Sequence, residues 1–178
     1  DGMQVGSAKI GKTNIVIINQ SEPNKAPFVL NDVEFDLTKS LKVSDQGTVN
    51  DLINNAQWKL RSSRFTIVTN DKLYKFSATG INIDNTNSFI KIKKIILLPQ
   101  LSEAAFMKQR SIQGDRYDFV FNDIELQQVD FKKLLNENKI EVQQATLQPI
   151  LKIFNDRLLP YDMQSKVGKY PHQSLQKL

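Results

Sequence analysis

Residues 97–131 read LLPQLSEAAFMKQRSIQGDRYDFVFNDIELQQVDF, and this stretch decides the fold. A strand-like run, IKIKKIILLP, leads into it and stops at Pro99. Ser102 stands where a side-chain oxygen can accept from the free N–H groups of a first helical turn, so a short helix holding Ala105, Phe106 and Gln109 is expected. Gly114-Asp115 ends it. Tyr117 to Leu126 then alternates, with Tyr117, Phe119 and Phe121 on one face, as the two-residue period of a strand requires. Asp130 is placed to cap a second short helix, Phe131 to Leu135. Helices here are punctuation between strands.

The same grammar extends outward. Trp58 to Thr69 and Leu73 to Ile83 flank the turn pair Asn70-Asp71, which predicts a hairpin around residues 63–83. Asp84 to Asn87 turns into a strand from Phe89 to Leu98. Upstream, Ile15 to Ile18 is a β-branched block, Ser21-Glu-Pro-Asn24 a turn, and Phe28 to Leu37 a strand with a polar break at Asn31-Asp32. Thr48 can cap a helix in which Val49, Leu52, Ile53 and Ala56 share a face. Downstream, Ile140 to Phe154 is a strand, and Pro149 confines it to an edge or a bulge. The expected fold is mainly β: a curved antiparallel sheet with two or three short helices, one domain over 1–160. Residues 161–178, polar and Lys-rich, read as a linker or extended arm.

A loose repeat runs through the strands. Phe28, Val33 and Phe35 share their spacing with Phe76, Ile81, Ile83 and with Phe119, Ile124, Leu126. Each unit is Phe with apolar residues five and seven positions on, preceded by Asn-Asp, Thr-Gly or Asn-Asp. An odd offset sends the later pair to the opposite face unless a bulge intervenes, so a bulge is expected at each polar pair.

Composition narrows the chemistry. The 178 residues contain no cysteine and one histidine, His172, which removes disulfides, thiolate sites and multi-histidine metal centres. No metal or cofactor site is expected. The net charge of +5 is ordinary for solubility at this length. The basic clusters WKLRSSRF and KIKKI read as solvated strand faces, since Lys discourages strand addition, and no nucleic-acid partner is expected.

Gly6-Ser-Ala-Lys-Ile-Gly11-Lys12-Thr13 matches the phosphate-loop pattern letter for letter. Its context is wrong: a buried strand should precede it and a helix follow, yet Asn14 to Ile18 is strand material. It is read as a Lys-bearing turn. Asp32, Asp84, Asp115, Asp118 and Asp123 each sit at a turn or corner, where a carboxylate has a capping role, so no catalytic residue is assigned.

Four elements carry a family resemblance: LLPQLSEAAFMKQ, QGDRYDF, VDFKKLL and FNDRLLP resemble the N-terminal portion of AsmA-like proteins of the bacterial envelope. The matching positions are Pro99, Ser102 and Phe106; Gln113, Asp115 and Arg116; Asp130, Phe131 and Leu134; and Asp156, Arg157, Leu158 and Pro160. Asn155 departs from the pattern, standing where the family has an Arg. The resemblance covers 97–178 well and 10–96 only in strand rhythm. It implies a periplasmic, non-enzymatic module of a long β-groove that carries phospholipid, with any membrane anchor lying outside this chain. Phe28, Leu30, Phe65, Ile67, Ile90, Ile92, Ile96, Leu98, Phe119, Phe121, Leu151 and Ile153 would face the lipid, and Gln113, Gly114, Asp115 and Arg116 would form a structural corner. The competing expectations are that the apolar sets pack beneath the helices as an ordinary core, and that the chain is an envelope scaffold binding other envelope proteins without lipid.

Overall fold

The computed structural model describes residues 3–18, 27–38, 41–43, 56–155 and 159–160. The Ser21–Asn24 turn, most of the 49–56 helix and the 161–178 arm lie outside the described residues. Among the described residues there are nine strands: β1 (Met3–Val5), β2 (Ala8–Ile17), β3 (Phe28–Leu37), β4 (Leu41–Val43), β5 (Trp58–Val68), β6 (Tyr74–Asp84), β7 (Phe89–Pro99), β8 (Asp115–Gln127) and β9 (Gln144–Asn155). Two short helices, α1 (Glu103–Lys108) and α2 (Phe131–Glu137), complete the described elements. β1 pairs with β4, and the other seven strands form one open antiparallel sheet in the order β2-β3-β5-β6-β7-β8-β9. β2 and β9 are therefore its edges.

The local chemistry follows the sequence. Between β5 and β6, the Asp71 carboxylate accepts from the Thr69 hydroxyl at 2.6 Å and the Leu73 N–H at 2.9 Å, with Lys72 at φ 58°. Ser102 accepts from the Ala105 N–H to cap α1, and Asp130 from the Lys133 N–H to cap α2. Asn138 closes α2 in the left-handed conformation. The last strand begins later than the sequence suggests. Residues 140–143 are irregular, tied by bonds from the Asp130 N–H to the Glu141 carbonyl and from the Gln143 N–H to the Gln127 carbonyl. Pro149 lies in the edge strand, where a missing N–H is tolerated.

The three repeated polar pairs mark a line across the sheet, its crease. Asp32, Gly80 and Asp123 have φ of 48°, 63° and 47°, the left-handed region that strand interiors normally avoid. The β3–β5, β5–β6, β6–β7 and β7–β8 registers, continued through these positions, set Asp32, Ser63, Gly80, Lys93 and Asp123 in one row. The register shifts once between β8 and β9, at Asn122/Glu125, and twice between β2 and β3. Register shifts thus accompany Asp32, against β2, and Asp123, against β9, where an extra residue resets the alternation of side chains; the bulge expected at Thr79-Gly80 is not one, because β5 and β7 both keep step with β6 through Gly80. The adjacent Ser63-Arg64 and Lys93-Lys94 are exposed together, the same reset in β5 and β7.

Helices sit at opposite ends of the sheet. Beside α2, Trp58 is 6% exposed and packs with Ala56, Phe35, Leu37, Leu60, Ile83, Phe131 and Leu135. Its ring meets Phe131 edge-on at 5.5 Å. Beside α1, Phe106 is fully buried with Met107 and Leu73, flanked by Tyr74, Leu101, Phe154 and Leu159.

Candidate apolar binding face

β9 serves as a ruler for the two faces. Ala145 pairs with Leu126 and Pro149 with Phe121. Ala145 and Pro149 are four residues apart on β9, which carries no extra residue at the register shift, so they share a face, and so must their partners. Leu126 and Phe121 are five apart; the bulge at Asp123 absorbs the odd residue.

Pairing carries this equivalence across the sheet. One row runs Ile10, Phe35, Leu60, Ile83, Ile90, Leu126, Ala145. Beyond the crease a second runs Ile15, Leu30, Phe65, Ala78, Ile95, Phe121, Pro149. A third joins Ile67, Phe76, Leu97, Phe119 and Leu151, with Ile17 paired to Phe28 in line with it. Ile81, Ile92 and Ile124 lie between the first two rows. One face of the sheet is thus apolar from edge to edge. Its rings touch along and between strands: Phe28 and Phe65 at 4.4 Å, Phe65 and Phe76 at 5.7 Å, Tyr117 and Phe119 at 5.2 Å, Phe119 and Phe121 at 6.3 Å.

α2 covers this face at one end, over Phe35, Leu60 and Ile83. The rows beyond the crease belong to neither helix cluster, and Phe28, Leu30, Phe65, Ile67, Phe76, Ile95, Leu97, Phe119 and Phe121 are half-buried. Towards β9 the face is open: Leu151 is 55% and Ile153 57% exposed.

Ten of the twelve residues assigned to this face from sequence are on it. Ile96 and Leu98 are not. Ile96 pairs with Ser77 and Val120, and Leu98 with Lys75, on the opposite face. Strict alternation from Ile90 and Ile92 points to them. The reset at Lys93-Lys94 gives the apolar face to Ile95 and Leu97 instead. Phe76, Ala78 and the β2 residues Ile10, Ile15 and Ile17 also belong to the face; the bulge pattern in the repeat was the signal that could have found them.

The opposite face is polar around α2's end of the sheet. Arg61 pairs with Glu34 at 3.1 Å and Asp36 at 3.2 Å, and Lys91 with Glu125 at 2.8 Å. Lys59 reaches the almost fully buried Asp84 at 2.9 Å. Burial alone would raise the Asp84 pKa. The Lys59 ammonium and the backbone and side-chain N–H groups of Asn87 outweigh it and hold the carboxyl below its ordinary value. Three basic residues of WKLRSSRF and KIKKI are thereby committed to ion pairs.

The Gly-Asp-Arg corner is architecture. The Asp115 carboxylate accepts from the Tyr117 hydroxyl at 3.1 Å and from Asn155 Nδ2 at 2.8 Å. Burial and then that carboxylate raise the Tyr117 pKa. Arg116 donates to the Leu101 carbonyl, and Gln113 to the Leu159 and Pro160 carbonyls through its side chain and backbone N–H. These bonds fasten the start of β8 and the end of β9 to the segment around α1.

Gly11, Lys12 and Thr13 lie within strand β2, exposed at the sheet edge, with neither a loop around them nor a helix after them. The turn expected over this motif is confined to the bend at Gly6-Ser7 between β1 and β2, and Ala8 to Thr13 are already strand. Among the described residues no group of three His, Cys, Asp or Glu is placed to hold a metal, and no helix is long and apolar enough to cross a membrane. A scan against protein-family models, a search of curated proteins and a search of solved structures each return no match to this chain.

Proposed function

We propose that the chain is a non-enzymatic module of the bacterial cell envelope, periplasmic, whose open apolar face shelters the acyl chains of a phospholipid, as a groove segment or end cap of an AsmA-like protein. The observation that carries this reading is the apolar face itself. Its rows cross seven strands, and the described helices stand at the ends of the sheet instead of over its centre. An apolar patch of this extent on one face marks a binding surface in a soluble domain. Acyl chains suit it because it offers packing and few directional hydrogen-bond partners.

Mass spectrometry of an organic extract of the purified chain tests the proposal, together with displacement of a fluorescent fatty acid by phosphatidylglycerol. Co-purified phospholipid and saturable displacement are expected, and Phe65→Glu should weaken both. A clean extract with no displacement refutes the lipid reading and leaves the envelope scaffold.

A further inference from the structure

Two arginines stand at the corner between α1 and β8, and they are used differently. Arg116 donates through Nη2 to the Leu101 carbonyl at 3.0 Å and belongs to the architecture. Among the described residues no hydrogen bond or ion pair reaches the Arg110 guanidinium, and its Nε is buried without an acceptor. The side chain as a whole keeps part of its surface exposed. Stacking alone seats it. The Arg110 Cζ lies 4.9 Å from the centre of the Phe106 ring, and a Cβ on Gly114 would stand 2.1 Å from Nη1. The guanidinium thus fills the space that a side chain at 114 would need. An arginine carries five N–H donors in a rigid fork, and burying one of them unpaired is costly. A seat that fixes the fork and leaves its donors free is pre-organised for an anion with two acceptor oxygens.

The place of this seat in the fold selects the anion. Phe106 meets Tyr74 edge-on at 5.6 Å, and the Tyr74 hydroxyl accepts from the Tyr117 N–H at 3.1 Å. Tyr117 heads the apolar row of β8, with Phe119 and Phe121 following on the same face. Burial and the Asp115 carboxylate raise the Tyr117 pKa, and the Arg110 charge acts against them, so the guanidinium stands within electrostatic reach of that hydroxyl. The neighbouring carboxylates are turned to other donors: Asp71 to Thr69 and the Leu73 N–H, Asp115 to Tyr117 and Asn155. A free cation therefore marks the α1 end of the apolar face, while α2 and Trp58 mark the other end. A molecule with an apolar body and a phosphate at one tip matches that polarity. We propose that Arg110 is the headgroup site of this face: its guanidinium takes the phosphodiester of an anionic phospholipid, and the acyl chain runs from Tyr117 along the strands towards Trp58. This rests on the lipid reading above and gives it an end and an orientation.

Lysophosphatidylglycerol and the monoacylglycerol of the same chain differ by the phosphoglycerol group, and displacement of the uncharged dye N-phenylnaphthylamine reads the affinity of each. The full chain should prefer the lysolipid about tenfold. Arg110→Gln should bring the ratio close to one without weakening the monoacylglycerol. Gly114→Ala, which keeps the charge but occupies its seat, should do the same. Arg64→Gln removes an equal charge from an exposed residue of the polar face and should leave the ratio unchanged. Trp58, the single tryptophan, reads the orientation: lysolipid brominated near the chain end should quench it more than lysolipid brominated near the headgroup. Circular dichroism of each variant establishes that it is folded. An unchanged preference in Arg110→Gln, an equal loss in Arg64→Gln, or stronger quenching from the headgroup end overturns the proposal and leaves the lipid reading standing. Inorganic phosphate that binds as tightly as the lysolipid, and loses affinity in Arg110→Gln, also overturns it by making the seat a free-phosphate site. Failure of both lipids to displace the dye removes the lipid reading and this inference with it.

Discussion

Replacing Gly80 with alanine tests whether the crease is a designed feature of the sheet. Gly80 sits at φ 63°, and a Cβ added there would lie 2.8 Å from the Lys93 Cβ on the neighbouring strand. The left-handed conformation costs a residue with a Cβ about 1–2 kcal/mol. The close approach adds about 1 kcal/mol or more, because a Cβ is held by the backbone and cannot swing away. Against this, alanine narrows the unfolded ensemble and returns about 0.4–1 kcal/mol. The net expectation is a loss of about 2 kcal/mol. Asp123 occupies the equivalent position on β8 at φ 47° with an exposed side chain, so Asp123→Gly should be neutral or stabilising by up to about 1 kcal/mol. Urea unfolding followed by far-UV circular dichroism reads both signs. An unchanged midpoint for Gly80→Ala, or a loss above about 1 kcal/mol for Asp123→Gly, refutes the account of the crease.

Phe131→Ala should remove the edge-on partner of the single tryptophan and cost about 2 kcal/mol, with the Trp58 emission shifting to the red as water reaches the ring. The Asp84 carboxyl is held below its ordinary pKa, so its contribution is present above about pH 4 and lost as pH falls through the folded-state value. Wild-type stability should therefore drop on acidification below that range, and Asp84→Asn should be weaker at neutral pH and show a shallower acid drop, measured by urea midpoints. Ile95→Gln should reduce fluorescent fatty-acid binding while Ile96→Gln leaves it unchanged, since these neighbours point to opposite faces; equal effects would mean the face is misassigned.

The strands and caps were legible because their causes are local. Phe28 to Leu37 was read with the observed bounds, and Ser102 and Asp130 were read as the caps they are. The repeat exposes the left-handed positions because Asn-Asp and Thr-Gly tolerate positive φ where the apolar spacing turns odd, although only the two Asn-Asp pairs coincide with register shifts. What failed was the reset in strands without such a pair. β7 crosses the line at Lys93-Lys94, two residues with no turn preference, and nothing in IKIKKIILL distinguishes Ile95 from Ile96. Their faces are fixed by Gly80 on one neighbour and Asp123 on the other, so the information lies 13 and 30 residues away. The edge position of β9 was legible in Pro149, but the late start of that strand was not, because Ile140 to Gln143 is held by bonds to Asp130 and Gln127 that no local pattern encodes.

The crease explains how so much apolar surface comes to lie on one side. Without a reset, a strand carrying Phe at one position and apolar residues at five and seven positions further would send them to opposite faces, and the sheet would need cover on both. Left-handed residues on β3, β6 and β8 prevent this on alternate strands, and the intervening strands follow through their hydrogen-bonded registers. The result concentrates apolar side chains on one face while leaving ion pairs on the other. Full burial of such a side chain is worth about 1.5–3 kcal/mol, so even the part withheld from nine half-buried residues amounts to several kcal/mol. That unspent burial is what the proposed lipid would collect. An occupant binding only the folded sheet must then raise the melting temperature in proportion to the logarithm of its concentration. The gain should be large for long acyl chains and small for short ones, a dependence that an occupant held by surface charge alone would not show.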